Sequence, residues 1–167
     1  QIKNIERGRI KEYANRVESA VYVENSKGVW GIQGDIAIPC AKENEITKED
    51  AEKLIKNGIS VVVEGSNMSS TLEAIEVLQD KGILFAPSKA ANAGGVAVSG
   101  LEMSQNATFT AWSYEKVDRR LREIMINIFH SSYSAAEAYG KKGNLLIGAN
   151  IAGFTKVANA MTWQGVI

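Results

Sequence analysis

The sequence predicts an α/β protein, a partial doubly wound parallel sheet of about three strands with flanking helices, continued by a helical C-terminal segment. Three observations carry this. Short apolar, partly β-branched runs recur as DIAIPC, ISVVVEG and ILFAP, each closed by proline or glycine. Between them lie helical patterns of roughly 10 to 12 residues, the length of a crossover, so successive strands run parallel. After Ala91 the strand signal stops and only helical periodicity remains.

In order, Ile2, Ile5, Ile10, Tyr13 and Val17 recur at near-helical spacing and predict a first amphipathic helix. The glycines at 28, 31 and 34 then punctuate a loop, with a short extended piece expected at residues 21–23. DIAIPC is the first strand. In TKEDAEKLIKNG, Thr47 caps a helix, Asp50 completes the cap, Ala51, Leu54 and Ile55 form its apolar face, and Gly58 ends it. ISVVVEG reads as a strand buried on both faces. The next helix takes Ser70 and Glu73 as a capping box, with Leu72, Ile75 and Leu78 inward and Gly82 as terminator. ILFAP is the third strand. Three helices are expected beyond it, near 92–109, 114–139 with a stripe of Val117, Leu121, Ile124 and Ile128, and 149–164. The expected division is residues 1–110 for the sheet and the start of the long helix, and 111–167 for the helical segment packed on it.

Composition excludes several functions. The 167 residues, 45% apolar and 23% charged, are enough for a buried core. Nineteen basic and 19 acidic residues give a net charge of zero, without the basic excess that nucleic acid or an anionic membrane surface recruits. A small-molecule partner is expected instead. The single cysteine cannot form an intrachain disulfide, and one Cys with one His leaves no basis for a metal site. No signal-peptide pattern and no membrane-length apolar run are visible, so the expected location is cytoplasmic. The chain opens without Met inside an amphipathic pattern, and is expected to be part of something longer.

Ligands of open parallel sheets gather beyond the carboxyl ends of the strands. Three such ends are legible: Pro39, Cys40 and Ala41; Glu64, Gly65 and Asn67; and Lys89, Asn92, Gly94 and Gly95. Asn92, Val96, Ser99 and Met103 fall at steps of four, three and four, on one helical face bordered by Gly95. The pattern leaves two readings. The stripe either packs closely against another helix, or admits a flat ring to the backbone while the Asn92 amide and the Ser99 hydroxyl supply polar contacts. Asn67 is likewise a turn residue or a ligand. Cys40 reads as a buried apolar thiol and His130 as a solvated side chain. The chain holds neither G-x-G-x-x-G after a strand nor G-x-x-x-x-G-K-[ST], and so has no diphosphate turn of its own.

Four long motifs in register, GDIAIPCAKENEIT, VVVEGSNMSSTLEA, APSKAANAGGVAVSGLEMSQN and NLLIGANIAGFTKVANAMTWQGV, resemble the C-terminal part of the small hexameric glutamate dehydrogenases of bacteria. The resemblance runs through nearly the whole chain. It implies the second half of a Rossmann-like dinucleotide domain plus closing helices. The implied reaction is NAD- or NADP-dependent oxidative deamination of L-glutamate to 2-oxoglutarate and ammonia, or its reverse, in a homo-oligomer. It also implies that the catalytic lysine and aspartate precede this chain, which then carries no catalytic residue. Position by position, it implies that Ala41 borders the adenosine side of the cofactor. Gly65 and Asn67 lie near the nicotinamide ribose or phosphates, Asn92 faces the nicotinamide, Val96 packs on the substrate chain and Ser99 bonds its distal carboxylate. CAKENE and EGSNMSST depart from the family's usual C-A-T-Q-N-E and E-G-A-N-M-P-T-T, which leaves coenzyme preference open. The alternatives are a leucine, valine or phenylalanine dehydrogenase, against which Ser99 and GLEMSQN argue, and a non-catalytic binding or assembly module. In the doubly wound order the strand at 35–39 lies beside the first strand of its domain. Its edge is therefore expected to be open here, and to recruit a second copy or the rest of the parent.

Overall fold

The computed structural model describes residues 5–24 and 26–165. Three parallel strands, β1 (Ile36–Ala37), β2 (Val61–Val63) and β3 (Leu84–Ala86), form one sheet in the order β1-β2-β3. Ala37, Val62 and Phe85 are in register across it. Helix α1 (Lys48–Lys56) connects the first pair and α2 (Leu72–Asp80) the second. Both crossovers lie against one face, where Ala37, Val62 and Phe85 meet Ala51, Leu54, Ala74 and Leu78. The other face, which carries Ile36, Ile38 and Leu84, is exposed. The expectation that ISVVVEG is buried on both faces therefore fails: only Val62 is fully enclosed, with Val61 and Val63 half-buried. β1 lies at one edge of this three-stranded sheet, so the edge expected to be open is open among the described residues.

The α1 cap forms as the sequence predicts. The Asp50 carboxylate accepts from the Thr47 backbone N–H (3.3 Å) and hydroxyl (2.9 Å) and from Lys53 Nζ (3.0 Å), so its burial costs no unpaired charge. The α2 cap sits one residue later than expected. Thr71 accepts from Ala74 N (3.2 Å), while Ser70 is held in a bridge to Ile46. Ile75 and Leu78 face inward as expected, but Leu72, the first residue of the helix, is 74% exposed, and Ala74 is the buried residue of its first turn.

The expected first helix reduces to a 3-10 turn at Ile10–Tyr13, with Ile5 and Ile10 exposed; Ile2 lies outside the described residues. Arg7 has φ 53°, a left-handed conformation that interrupts helical propagation. No strand forms at residues 21–23. The glycine-punctuated loop instead contains a 3-10 segment, Ser26–Gly31, that delivers Trp30 to the core, where Asn57 Nδ2 bonds its carbonyl at 3.2 Å.

Beyond β3 the single long helix of the sequence reading is two, α3 (Ser88–Ala91) and α4 (Ala93–Ala107), with Asn92 at the junction. Helix α5 (Tyr114–Ala138) keeps its predicted stripe half-buried. Helix α6 (Leu145–Gln164) begins four residues before the expected start, because Asn144 Oδ1 accepts from Ile147 N at 3.0 Å and caps it. Helices α5 and α6 cross at backbone contact: a Cβ on Gly148 would lie 1.9 Å from the Ser132 carbonyl oxygen. Among the described residues no helix is long and apolar enough to cross a membrane.

Candidate functional site

Because all three strands are parallel, the segments that leave them emerge on one edge of the sheet. The first two are laced together by backbone bonds. The N–H groups of Gly65 and Ser66 both donate to the Pro39 carbonyl, at 2.9 and 3.0 Å. Asn44 N donates to Met68 O at 2.8 Å, and Ile46 N to Ser69 O at 2.9 Å. This approach is the reason for glycine at 65. A Cβ there would stand 2.5 Å from Cys40 Sγ and 3.3 Å from the Pro39 carbonyl oxygen. Cys40 itself is exposed, contrary to the buried apolar thiol expected from the sequence. It follows Pro39 out of the sheet, past the last ladder contact. His130 is exposed on α5, as expected.

The laced segments border a cleft of 620 Å³ lined by Ala41, Lys42, Glu43, Gly65, Ser66 and Asn67. Its floor at Ala41 is fixed by Glu45, whose Oε2 accepts from Ala41 N (3.2 Å) and Lys42 N (3.4 Å). Asn67 joins the cleft to the third strand end, since Asn92 Nδ2 donates to Asn67 Oδ1 at 2.7 Å. Four sequence-predicted residues, Ala41, Gly65, Asn67 and Asn92, thus form one connected site. The Asn67 Nδ2 group and the Asn92 Oδ1 atom make no protein hydrogen bond among the described residues, which leaves a donor group and an acceptor atom of the amide pair for a ligand.

Val96 and Ser99 do not line this cleft. They lie on α4, Val96 75% exposed and the Ser99 hydroxyl donating to the Gly95 carbonyl at 3.3 Å within the helix. The two adjacent glycines divide between the two readings of the stripe. A Cβ on Gly94 would meet Met125 Sδ at 3.5 Å and Leu121 Cδ1 at 3.6 Å, ordinary packing of α4 on α5, whereas one on Gly95 would meet nothing within 4 Å. The face of Gly95, Val96 and Ser99 is open.

Glu64, placed by the sequence at the second strand end, has a bonding role there that the sequence did not show. Glu64, 3% exposed at the end of β2, accepts from Ser70 N at 2.7 Å through Oε1 and from Ser88 N at 2.9 Å through Oε2. The signal available was only a charge placed directly after a β-branched run.

Nothing among the described residues groups three or more His, Cys, Asp or Glu side chains in reach of one metal ion. A dinucleotide fits the cleft in part. The space, the free amide donor and acceptor, and the glycine at the point of closest approach suit a flat, polar ligand on backbone, while the phosphate turn motifs are not in this sequence.

Comparison with known proteins agrees with this geometry. The NADP-specific glutamate dehydrogenase of Escherichia coli (strain K12) is 50% identical over 167 residues, covering all of this chain and 37% of that protein. The NAD(P)-specific glutamate dehydrogenase of Xylanibacter ruminicola is 48% identical over 166 residues, 99% of this chain and 37% of that protein. Among solved structures, the Plasmodium falciparum glutamate dehydrogenase superposes with a TM-score of 0.93 at 47% identity, over 99% of this chain and 36% of that one. The chain therefore spans little more than a third of the length of the relatives it matches. The family model of the Glutamate/Leucine/Phenylalanine/Valine dehydrogenases matches residues 1–165, and the chain belongs to that family.

Proposed function

We propose that the protein to which this chain belongs is an NAD(P)-dependent glutamate dehydrogenase, interconverting L-glutamate with 2-oxoglutarate and ammonia, in the cytoplasm and as a homo-oligomer. The observation that carries the reading is the connected site of Ala41, Gly65, Asn67 and Asn92 at the carboxyl edge of a parallel sheet. It is supported by relatives about half identical that are named glutamate dehydrogenases. Their names, NADP-specific and NAD(P)-specific, favour NADP as coenzyme and leave NAD as the alternative.

In this reading residues 1–110 are the second half of the dinucleotide-binding unit and 111–167 the helical segment packed on it. Bound nicotinamide dinucleotide supplies the hydride acceptor or donor. The chain's own residues bind and orient it. Ala41 borders the adenosine side through backbone, Gly65 brings two strand ends together beneath the ligand, Asn67 donates toward the ribose or phosphates, and Asn92 faces the nicotinamide. On the open face of α4, Val96 packs on the substrate chain and the Ser99 hydroxyl turns from the Gly95 carbonyl to bond the distal carboxylate. A site built to bond that carboxylate rejects leucine, valine and phenylalanine, because an apolar side chain leaves the hydroxyl unpaired.

Steady-state kinetics of the full-length protein with glutamate and leucine test the proposal. A higher kcat/KM for glutamate is expected. A higher value for leucine transfers the protein to another branch of the family.

A further inference from the structure

We propose that Glu64 is a positioning residue that sets the Asn67–Asn92 amide pair; the proposal rests on the reading of that pair as part of a dinucleotide site. The Glu64 side chain is almost wholly buried, and no lysine or arginine pairs with it among the described residues. Its two oxygens are instead divided between two backbone N–H groups far apart in sequence, Ser70 at 2.7 Å and Ser88 at 2.9 Å. Burying a carboxyl group on backbone donors alone is expensive, and an apolar side chain at a strand end would spare that cost. What the arrangement supplies is position. Ser70 closes the loop that carries Asn67, and Ser88 is the first residue of α3, whose last turn delivers Asn92 through the 2.9 Å bond from Asn92 N to Ser88 O. One carboxyl group therefore fixes both carriers of the pair.

Two further features make the carboxyl group the clamp. Met68, beside Asn67, has φ 47°, a left-handed conformation that a non-glycine residue keeps only when its neighbours hold it. Asn44 N and Ile46 N tie the loop to the first strand end, through Met68 O at 2.8 Å and Ser69 O at 2.9 Å. Toward α3, however, the Met68 N–H reaches Ser88 Oγ only at 3.3 Å, so the two shorter Glu64 bonds are the firmer tie between the loop and α3. The Glu64 backbone N–H is spent on the Ala86 carbonyl at 3.0 Å, so the residue is anchored in the sheet from which its side chain reaches the two carriers.

The test uses the full-length protein and fluorescence titration with NADPH and NADH, read with whichever binds more tightly. Glu64→Gln retains one acceptor and turns an NH₂ group toward the second N–H, and its Kd is expected to rise about tenfold, the scale of one hydrogen bond to a charged group. Glu64→Asp, which keeps the charge but is too short to reach both donors, is expected to weaken binding in the same direction and serves if the Gln variant does not fold. The same Glu64 change is then made in an Asn67→Ala, Asn92→Ala background. If Glu64 acts through the pair, its effect there falls below about twofold, a coupling that general loosening of the fold would not produce. An unchanged Kd in the single variants, or an equal loss in both backgrounds, overturns the proposal. If the Asn67→Ala, Asn92→Ala protein binds dinucleotide as the unmodified protein does, the cleft reading fails, and this inference with it.

Discussion

The chain buries its side chains very differently before and after Asn92. Between residues 30 and 91, Ile46, Ala51, Val62, Ala74 and Leu78 have no access to solvent. Between 93 and 164 only Ser132, Ala136 and Gly148 are buried, while Val96, Met103, Phe154 and Trp163 point outward. The first region is a βα layer closed by its own contacts on one face of the sheet. The second is held at a few close backbone crossings and leaves its apolar residues available. A substitution should therefore read as stability in the first region, and in the second as stability only where helices touch.

The largest effect is expected inside the layer. Leu78→Ala removes a fully buried side chain and should cost about 3 to 4 kcal/mol in urea unfolding of the full-length protein. Next comes the α5–α6 crossing. Gly148→Ala puts a methyl group into the Ser132 carbonyl, which no rotamer can relieve, and should cost about 2 to 3 kcal/mol by the same measurement. If Gly148→Ala is neutral, the helical end is looser than the crossing implies and the contrast between the regions widens. Gly100→Ala, in the interior of α4 with nothing within 4 Å of its new Cβ, should stabilise by about 0.5 to 1 kcal/mol. The smallest effect belongs to Leu72→Ala, under about 0.5 kcal/mol, since that side chain is exposed. A cost for Leu72→Ala comparable to that of Leu78→Ala would show that the outer surface of α2 is covered in the full-length protein.

The same contrast explains what was legible in the sequence. Strand runs and the Thr47–Asp50 cap carry local, periodic signals, and the sheet, α1 and the α5 stripe form where the pattern places them. The α2 cap moved by one residue because Ser70 is claimed from outside the helix, by Ile46 in a bridge and by Glu64 through its N–H. Trp30 reached the core from a glycine-rich stretch that propensity assigns to a loop. The open second face of the sheet could not be read from ISVVVEG, since composition reports what a strand tolerates on both faces and not what covers them. Within the site, Ala41, Gly65 and Asn67 were found from their place at strand ends and Asn92 from its place in the helical stripe, and the structure joins all four. Glu64 was placed at a strand end but its role was not legible, because a carboxyl group that ties two separate backbone segments leaves no periodic trace.

The most direct test of the central claim, that the cleft at the strand ends holds the dinucleotide and the open face of α4 holds the substrate, compares Ser99→Ala and Asn92→Ala in the full-length protein by dinucleotide titration and steady-state kinetics with glutamate. Ser99→Ala should lower kcat/KM for glutamate about ten- to hundredfold, equivalent to about 1.5 to 3 kcal/mol, and leave the dinucleotide Kd unchanged. Asn92→Ala should raise that Kd. Unchanged kcat/KM in the first variant together with unchanged Kd in the second would contradict the account, and would leave the stripe on α4 as a surface for helix packing alone.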